Sequence, residues 1–378
     1  MAKQLSILAL EPYYGGSHKA FIDNWLNLSR HDWTLLTLPA HHWKWRMRHS
    51  AFFFAEEISR LFYQENKRWD IIWCSSITNL AELIGLLPVE LRVLPSVIYF
   101  HENQLTYPIR KGQKRDFQTV FTNFTSALSA NSVWFNSAFN RDSFLDKLSG
   151  VFKQMADFRP YDGIETIRAK SLIQHPGIEL PELNHKANNQ QPLKILWAAR
   201  WEHDKCPEIF FEAIETLEKT GLDYRLMVIG ESFRDSPEIF TLAQEKFASR
   251  IDRWGYLESK AEYFEALSEA DVAVSSAGHE FFGIGMLEAV VAGARPLMPE
   301  KLAYPEIFRN THGELCREFF YDGSSADLAD KLSDLAKLKT QSGSVWDGSE
   351  HDSKEIALKF VWSKRAEAMD SAIASILD

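Results

Sequence analysis

Two glutamates, Glu280 and Glu288, are separated by seven residues in the stretch HEFFGIGMLEAVVAG, and chemistry can be read from them first. A carboxylate only accepts hydrogen bonds, so a pair of them suits a ligand rich in hydroxyls. Between the two lie Phe281, Phe282 and the turn Gly283-Ile284-Gly285. The spacing of Ile284, Leu287, Val290 and Val291 predicts a helix that starts at this turn, after a β-rich run over 271–275. A helix start presents unpaired N–H groups and partial positive charge, which suits an anion. Anion and polyol in one pocket describe a sugar nucleotide. The plain alternative is two exposed acids on an ordinary amphipathic helix, and the spacing alone does not decide between them.

Other polar groups sit where strand-like runs end. Tyr13-Tyr14-Gly15-Gly16-Ser17-His18 follows the first run, and paired glycines let a backbone approach a ligand closely. It is neither a GxxxxGK[ST] phosphate loop nor a GxGxxG fingerprint. The stretch LPAHHWKWRMRH interleaves Trp43, Lys44, Arg46 and Arg48 without an acid. Cations for phosphates and rings for stacking are what single-stranded RNA recognition uses; the alternative is a helix start with core tryptophans and solvated bases. His41 and His42 are adjacent, so they point apart, and no partner is spaced to make them a metal site. A polar cluster with His101, Asn103 and Gln104 ends the run 97–100, and Arg110, Lys111, Lys114 and Arg115 follow. Asn136-Ser137 is equally a site loop or a helix cap. Arg200 and Lys205 follow the run 193–199, Gly230 the run 224–229, and Tyr256 lies in the loop Trp254-Gly255-Tyr256-Leu257.

These positions need a frame. The 378 residues are enough for two domains with well-buried cores. Runs at 5–10, 33–38, 70–74, 97–100 and 132–135, and again at 193–199, 224–229, 271–275 and 294–298, alternate with amphipathic segments. That alternation predicts an α/β fold of two parallel sheets flanked by helices, with ligands outside the carboxyl ends of the strands. The boundaries read as a first domain over 1–181, a polar, proline-bounded linker over 182–192, a second domain over 193–358 and an amphipathic C-terminal helix over 359–378. The net charge is −10, yet residues 1–178 hold 20 Lys and Arg against 16 Asp and Glu, a balance of +4, leaving −14 for the rest. A positive half within an acidic whole is compatible with a polyanion on one domain only. Cys74, Cys206 and Cys316 form no CxxC pair, which argues against a disulfide framework or zinc site. MAKQLSILALEPYYGG reads as a first strand rather than a signal peptide, and no apolar run reaches the ~18 residues of a membrane span. A cytoplasmic location without membrane association is expected.

The E-x7-E spacing around a Phe-Gly turn resembles the donor site of retaining glycosyltransferases of the GT-B type. The resemblance implies two Rossmann-like domains facing across a cleft and a final helix that crosses back onto the first. It implies that Glu280 and His101 bind the donor sugar, Glu288 the ribose, and the N–H groups over Phe281, Phe282, Gly283 and Ile284 the sugar. Arg200 and Lys205 would neutralise the diphosphate, work a divalent ion otherwise does. Gly15 and Gly16 would lie by the diphosphate, and Gly230 and Tyr256 by the nucleotide. No Asp-x-Asp occurs, so neither metal nor cofactor is expected.

Stretches YYGGSHK, TLPAHHWKWRMR, YFHENQLTYPIRKGQKRDFQ, FNSAFNRDSF, RWEHDK and PLMPEKLAYPEIF narrow the resemblance to the tRNA-queuosine α-mannosyltransferases, over nearly the whole chain and with a shorter linker than in animal members. It implies transfer of mannose from GDP-mannose to the cyclopentene diol of queuosine at the wobble position of an aspartate tRNA, with no protein nucleophile. Acceptor contacts would then come from Trp43, Lys44, Arg46, Arg48, Asn103, Gln104, Arg110, Lys111, Lys114 and Arg115. The rivals are a transferase for lipid, glycan or small-molecule acceptors, a phosphorylase or epimerase on the same fold, and a non-catalytic RNA-binding module.

Overall fold

A computed structural model describes residues 3–109, 115–180, 192–233 and 236–377. The expected linker at 182–191 and three acceptor candidates, Arg110, Lys111 and Lys114, lie outside the described residues. The chain forms two compact units, one of Met1–Gly177 together with Trp362–Asp378, the other of Ile178–Val361.

The first unit holds β1 (Ser6–Tyr14), β2 (Asp32–Pro39), β3 (Ile71–Ser75), β4 (Ser96–Phe100), β5 (Ser132–Phe135) and β6 (Ser171–Ile173). They form one sheet in the order β2-β1-β3-β4-β5-β6, every pairing parallel. Successive side chains of a strand leave on opposite faces. Leu8 and Leu10 therefore pack with Phe54, Ile58, Phe124 and Phe144 on one side. Ile7 and Ala9 pack with Phe21, Trp25, Trp73 and Tyr99 on the other. With both faces covered, the strands are continuous apolar runs rather than alternating ones.

The helix Trp362–Ala374 belongs to this first unit, where Trp362, Ala366, Met369 and Ile373 close the second layer. Its buried Asp370 accepts hydrogen bonds from Trp25 Nε1, Ser29 Oγ and Arg30 N, each at 2.8 Å. Gly177 lets the Trp362 ring lie so close that a Cβ there would sit 2.2 Å from it.

The second unit holds β7 (Leu193–Ala198), β8 (Tyr224–Ile229), β9 (Ile251–Gly255), β10 (Val272–Val274), β11 (Arg295–Pro299) and β12 (Phe320–Tyr321). The order is β12-β11-β10-β7-β8-β9, again all parallel. Each sheet has one place where the strand order reverses, between β1 and β3 in the first and between β7 and β10 in the second. Ligands of open parallel sheets bind beyond the carboxyl ends of strands at such a reversal. Among the described residues, no helix is long and apolar enough to cross a membrane.

Asp370→Ala strands three donors, one of them on the fully buried Trp25. A buried donor left unpaired costs about 1–3 kcal/mol, so the first unit should lose about 3 kcal/mol of stability. Urea unfolding followed by tryptophan fluorescence measures the loss.

Candidate active site

At the reversal of the second sheet, the loops after β7 and β10 are sewn together by one backbone carbonyl. Asp204 O accepts from Gly278 N at 2.8 Å and from His279 N at 3.2 Å. The loop after β7 passes so near the end of β8 that a Cβ on Gly230 (φ +152°) would lie 1.8 Å from Ala199 O. Only glycine fits there. Lys205 ends the short 3-10 turn His203–Lys205, and its Nζ donates to His279 O and to Glu280 Oε2, both at 3.1 Å. Two of the residues singled out by sequence are thus an ion pair. Burial by itself would push the Glu280 carboxyl up, but the Lys205 ammonium and the Phe282 N–H outweigh it and hold the acid below its ordinary range. Burial likewise works against the Lys205 charge, and Glu280 and Asp204 reverse that, so its ammonium is held above its ordinary range. Arg200 Nη1 pairs with Glu202 Oε2 at 2.6 Å on the same loop.

Phe281 and Phe282 are buried and anchor the turn that follows. Gly283, at φ +105°, lies against Tyr304, whose ring would be 2.7 Å from a Cβ. The helix Ile284–Val291 starts there, and Glu288 projects from its second turn to accept a hydrogen bond from Tyr263 OH at 2.9 Å. Among the described residues no cation pairs with Glu288 as Lys205 does with Glu280, although Lys260 favours its charge from farther away. Burial accordingly raises its carboxyl to about 7, partly offset by the Tyr263 hydrogen bond. Tyr256 is exposed in the loop after β9.

At the reversal of the first sheet, β1 carries the fully buried Glu11, and Gly15-Gly16 opens the helix Gly16–Leu28. A Cβ on Gly15 would lie 2.4 Å from that of Ala40. His18, on that helix, places Nδ1 3.2 Å from Glu11 Oε2 and Nε2 3.2 Å from Glu102 Oε2, just beyond β4. His101 stacks on His18 with ring centroids 4.0 Å apart, and its Nε2 is buried without a hydrogen-bond partner among the described residues. Burial and the neighbouring His18 push the His101 ring well below its usual range, so it is neutral. Ligand atoms of Glu11, His18 and His101 lie within 4.8 Å of one another. The His18 and His101 rings are tilted by 34° to one another, and both His18 nitrogens already face carboxylate oxygens.

Several residues expected to touch the acceptor are instead scaffolding. Arg46 is buried and donates to Pro39 O, His49 Nε2 and His41 Nε2. Asn103, also buried, donates to Asn140 Oδ1 and accepts from the N–H and hydroxyl of Thr106. Gln104 is buried, and Arg115 donates to the carbonyls of Gln104 and Tyr107. The polar groups of Arg46 and Asn103 thus turn inward, and Arg115 is half-buried against backbone carbonyls. Trp43 is half-buried, Lys44 exposed, and Arg48 pairs with Asp116 at 3.2 Å. Trp45, not singled out beforehand, is 59% exposed. Trp45, Arg48 and Phe52 follow one another at i, i+3 and i+7 on the helix Trp43–Gln64, an exposed stripe of rings and a cation.

The comparisons with known proteins decide the family. Residues 6–178 match the model described as "tRNA-queuosine alpha-mannosyltransferase N-terminal", and residues 182–344 match "Glycosyl transferases group 1". A Drosophila melanogaster protein named tRNA-queuosine alpha-mannosyltransferase is 36% identical over 343 residues, 88% of this chain and 87% of its own length. The chain belongs to the tRNA-queuosine α-mannosyltransferase family. It is a glycosyltransferase. Its fold is that of solved proteins at much lower identity. The N-terminal domain of Candida albicans trehalose-6-phosphate phosphatase matches with TM-score 0.69 and 13% identity, covering 100% of this chain and 97% of that one. Anabaena HepE, solved with UDP, matches with TM-score 0.67 and 12% identity over 98% and 100%. These likenesses show the GT-B fold.

Sequence reasoning missed Glu11, Glu102, Tyr263 and Trp45 in this family member. Glu11 had a signal: a carboxylate inside the apolar run LALEPYY must be paired if that run is a buried strand.

Glu288 generates a pH prediction. If its ionised form grips a hydroxyl, protonation competes, so affinity for a nucleotide sugar should rise as pH increases through about 7 and fall below it. Isothermal titration from pH 6 to 8 should show that rise in the wild type and a flat profile in Glu288→Gln.

Proposed function

We propose that the chain transfers mannose from GDP-mannose to a hydroxyl of the queuosine cyclopentene diol in the anticodon of aspartate tRNA, with retention at the sugar and without a metal. The observation that carries this reading is the half-buried Lys205–Glu280 pair at the strand reversal of the second unit, beside Arg200, in a chain of this family. One partner of the pair suits a phosphate and the other a sugar hydroxyl.

In this reading the C1–O bond to the diphosphate breaks as the acceptor oxygen forms its bond on the same face. Charge then builds on the departing diphosphate, and Arg200 and Lys205 neutralise it. Lys205 uses Nζ donors already oriented by His279 O and Glu280, so little reorganisation is needed as charge develops. Glu280 accepts from a sugar hydroxyl, Glu288 from the ribose, and the backbone N–H groups of the turn at Gly283 complete the donor site. His101 hydrogen-bonds the sugar through its unpartnered Nε2. The acceptor proton goes to an oxygen of the donor phosphate. For the tRNA, the stripe Trp45, Arg48 and Phe52 offers stacking faces and a cation, with Trp43 and Lys44 at its start.

Incubation with GDP-mannose and queuosine-containing tRNA, followed by nucleoside mass analysis, should add one hexose to queuosine; transfer only to a lipid or glycan would refute this acceptor. Lys205→Ala should lower kcat/KM by about 10²–10³, the scale of losing one preorganised donor to developing charge. Trp45→Ala should weaken tRNA binding about tenfold in a filter-binding assay, since stacking on one base is worth ~1–3 kcal/mol. It should leave KM for GDP-mannose unchanged.

A further inference from the structure

The transferase chemistry above leaves unexplained a buried charged group in the first unit. Glu11 Oε1 is fixed by Tyr13 N at 2.9 Å and Ser75 Oγ at 3.0 Å, which leaves Oε2 to His18. Both nitrogens of the His18 ring face carboxylate oxygens, Glu11 on one side and Glu102 on the other. Carboxylates only accept, and a neutral imidazole has a single N–H, so one of the two contacts would then set lone pair against lone pair. An imidazolium satisfies both. Burial alone would favour the neutral ring, but the two carboxylates outweigh it and raise His18 to about 10. The titratable groups facing this ring are Glu11 and Tyr13 from β1 and His101 and Glu102 from beyond β4.

The far end of this bridge is unfinished. The Glu102 side chain is 18% exposed, and its second oxygen, Oε1, has no partner among the described residues. A buried ion triad is an expensive way to hold a fold together, because desolvation consumes most of the Coulombic gain. Two carboxylates around one imidazolium also leave a net negative charge, which repels a phosphate and suits a neutral hydroxyl donor. Glu11 and Ser75 stand near the carboxyl ends of β1 and β3 and Glu102 just beyond that of β4, at the reversal of the first sheet.

We propose that Glu102 contacts substrate, its open carboxylate oxygen accepting a hydrogen bond from a hydroxyl, and that Glu11 and His18 are positioning residues that fix the carboxylate for that contact. The proposal rests on the transferase reading only for which hydroxyl is bound, that of the donor sugar or that of the acceptor diol.

The test compares Glu102→Ala, His18→Ala and the double variant in hexose transfer from GDP-mannose to queuosine-containing tRNA, with GDP affinity as a control on the second unit. Glu102→Ala should lower kcat/KM at least tenfold while GDP affinity stays unchanged. A rise in KM for GDP-mannose assigns the hydroxyl to the donor sugar, and a rise in KM for tRNA assigns it to the acceptor. The double variant should be no worse than Glu102→Ala, because His18 acts through Glu102. Unchanged activity of Glu102→Ala, or losses that multiply in the double variant, would overturn the proposal.

A second measurement stands apart from the transfer reaction and from the stability of the His18 variant. Imidazole ¹⁵N NMR of the wild-type chain at pH 8 should show His18 protonated on both nitrogens, and Glu102→Gln should release one of them. A singly protonated His18 in the wild type would overturn the bridge even in an active enzyme. If the wild type transfers no hexose to queuosine while His18 is doubly protonated, the acceptor assignment fails and the bridge stands.

Discussion

A parallel sheet covered by helices on both faces has nowhere to put polar chemistry except beyond the ends of its strands. Both sheets here are of that kind, and their inner strands, β1, β3, β4 and β5 in the first and β7, β8, β10 and β11 in the second, are built largely from residues with almost no exposure. A charged side chain rooted in such a layer must find a partner within it or reach the strand end. The candidate site residues obey this constraint. Lys205 and Glu280 emerge at the reversal of the second sheet, and Glu11 is satisfied because Tyr13 N, Ser75 and His18 meet it at the reversal of the first.

The two clusters answer the constraint in different ways. In the second unit Lys205 lies between Glu280 at 3.1 Å and Asp204 at 3.5 Å, and Arg200, paired with Glu202, adds a second cation at the margin. In the first unit two carboxylates share one imidazolium. Glu288 is a third case, a half-buried carboxyl beside a tyrosine hydroxyl, with no ion pair among the described residues and only the more distant Lys260 favouring its charge. The carboxylates thus have three different surroundings, each set by which neighbours the loops deliver.

Much of the architecture was legible because it rests on local regularities. Apolar runs with turn residues after them gave nine strands and the α/β class, and the final helix was visible from its spacing. Three short strands, β6, β9 and β12, were not, since Ser171–Ile173 and Phe320–Tyr321 are too brief to carry a period and β9 ends in Trp254-Gly255. Among site residues, the glycine at 230 and the pair at 280 and 288 were readable from spacing and position. Burial was not. Arg46 and Asn103 lie in polar stretches that invite a surface reading, yet their side chains satisfy carbonyls and side chains of neighbouring loops. Whether an arginine in a basic helix points out or in depends on packing partners far along the chain, and a single sequence does not display these.

The first unit is discontinuous: its second layer is closed by a helix that the ribosome makes only after the whole second unit. Translation proceeds at about 5–20 residues per second, so the sheet of β1 to β6 waits roughly ten to forty seconds for Trp362, Met369 and Ile373 while the intervening unit is made. During that interval Phe21 and Trp25 lack their cover, and the nascent chain carries an apolar face that chaperones recognise. Closure of the first unit is therefore tied to synthesis of the second, and premature termination anywhere in the second unit also costs the first one its cover.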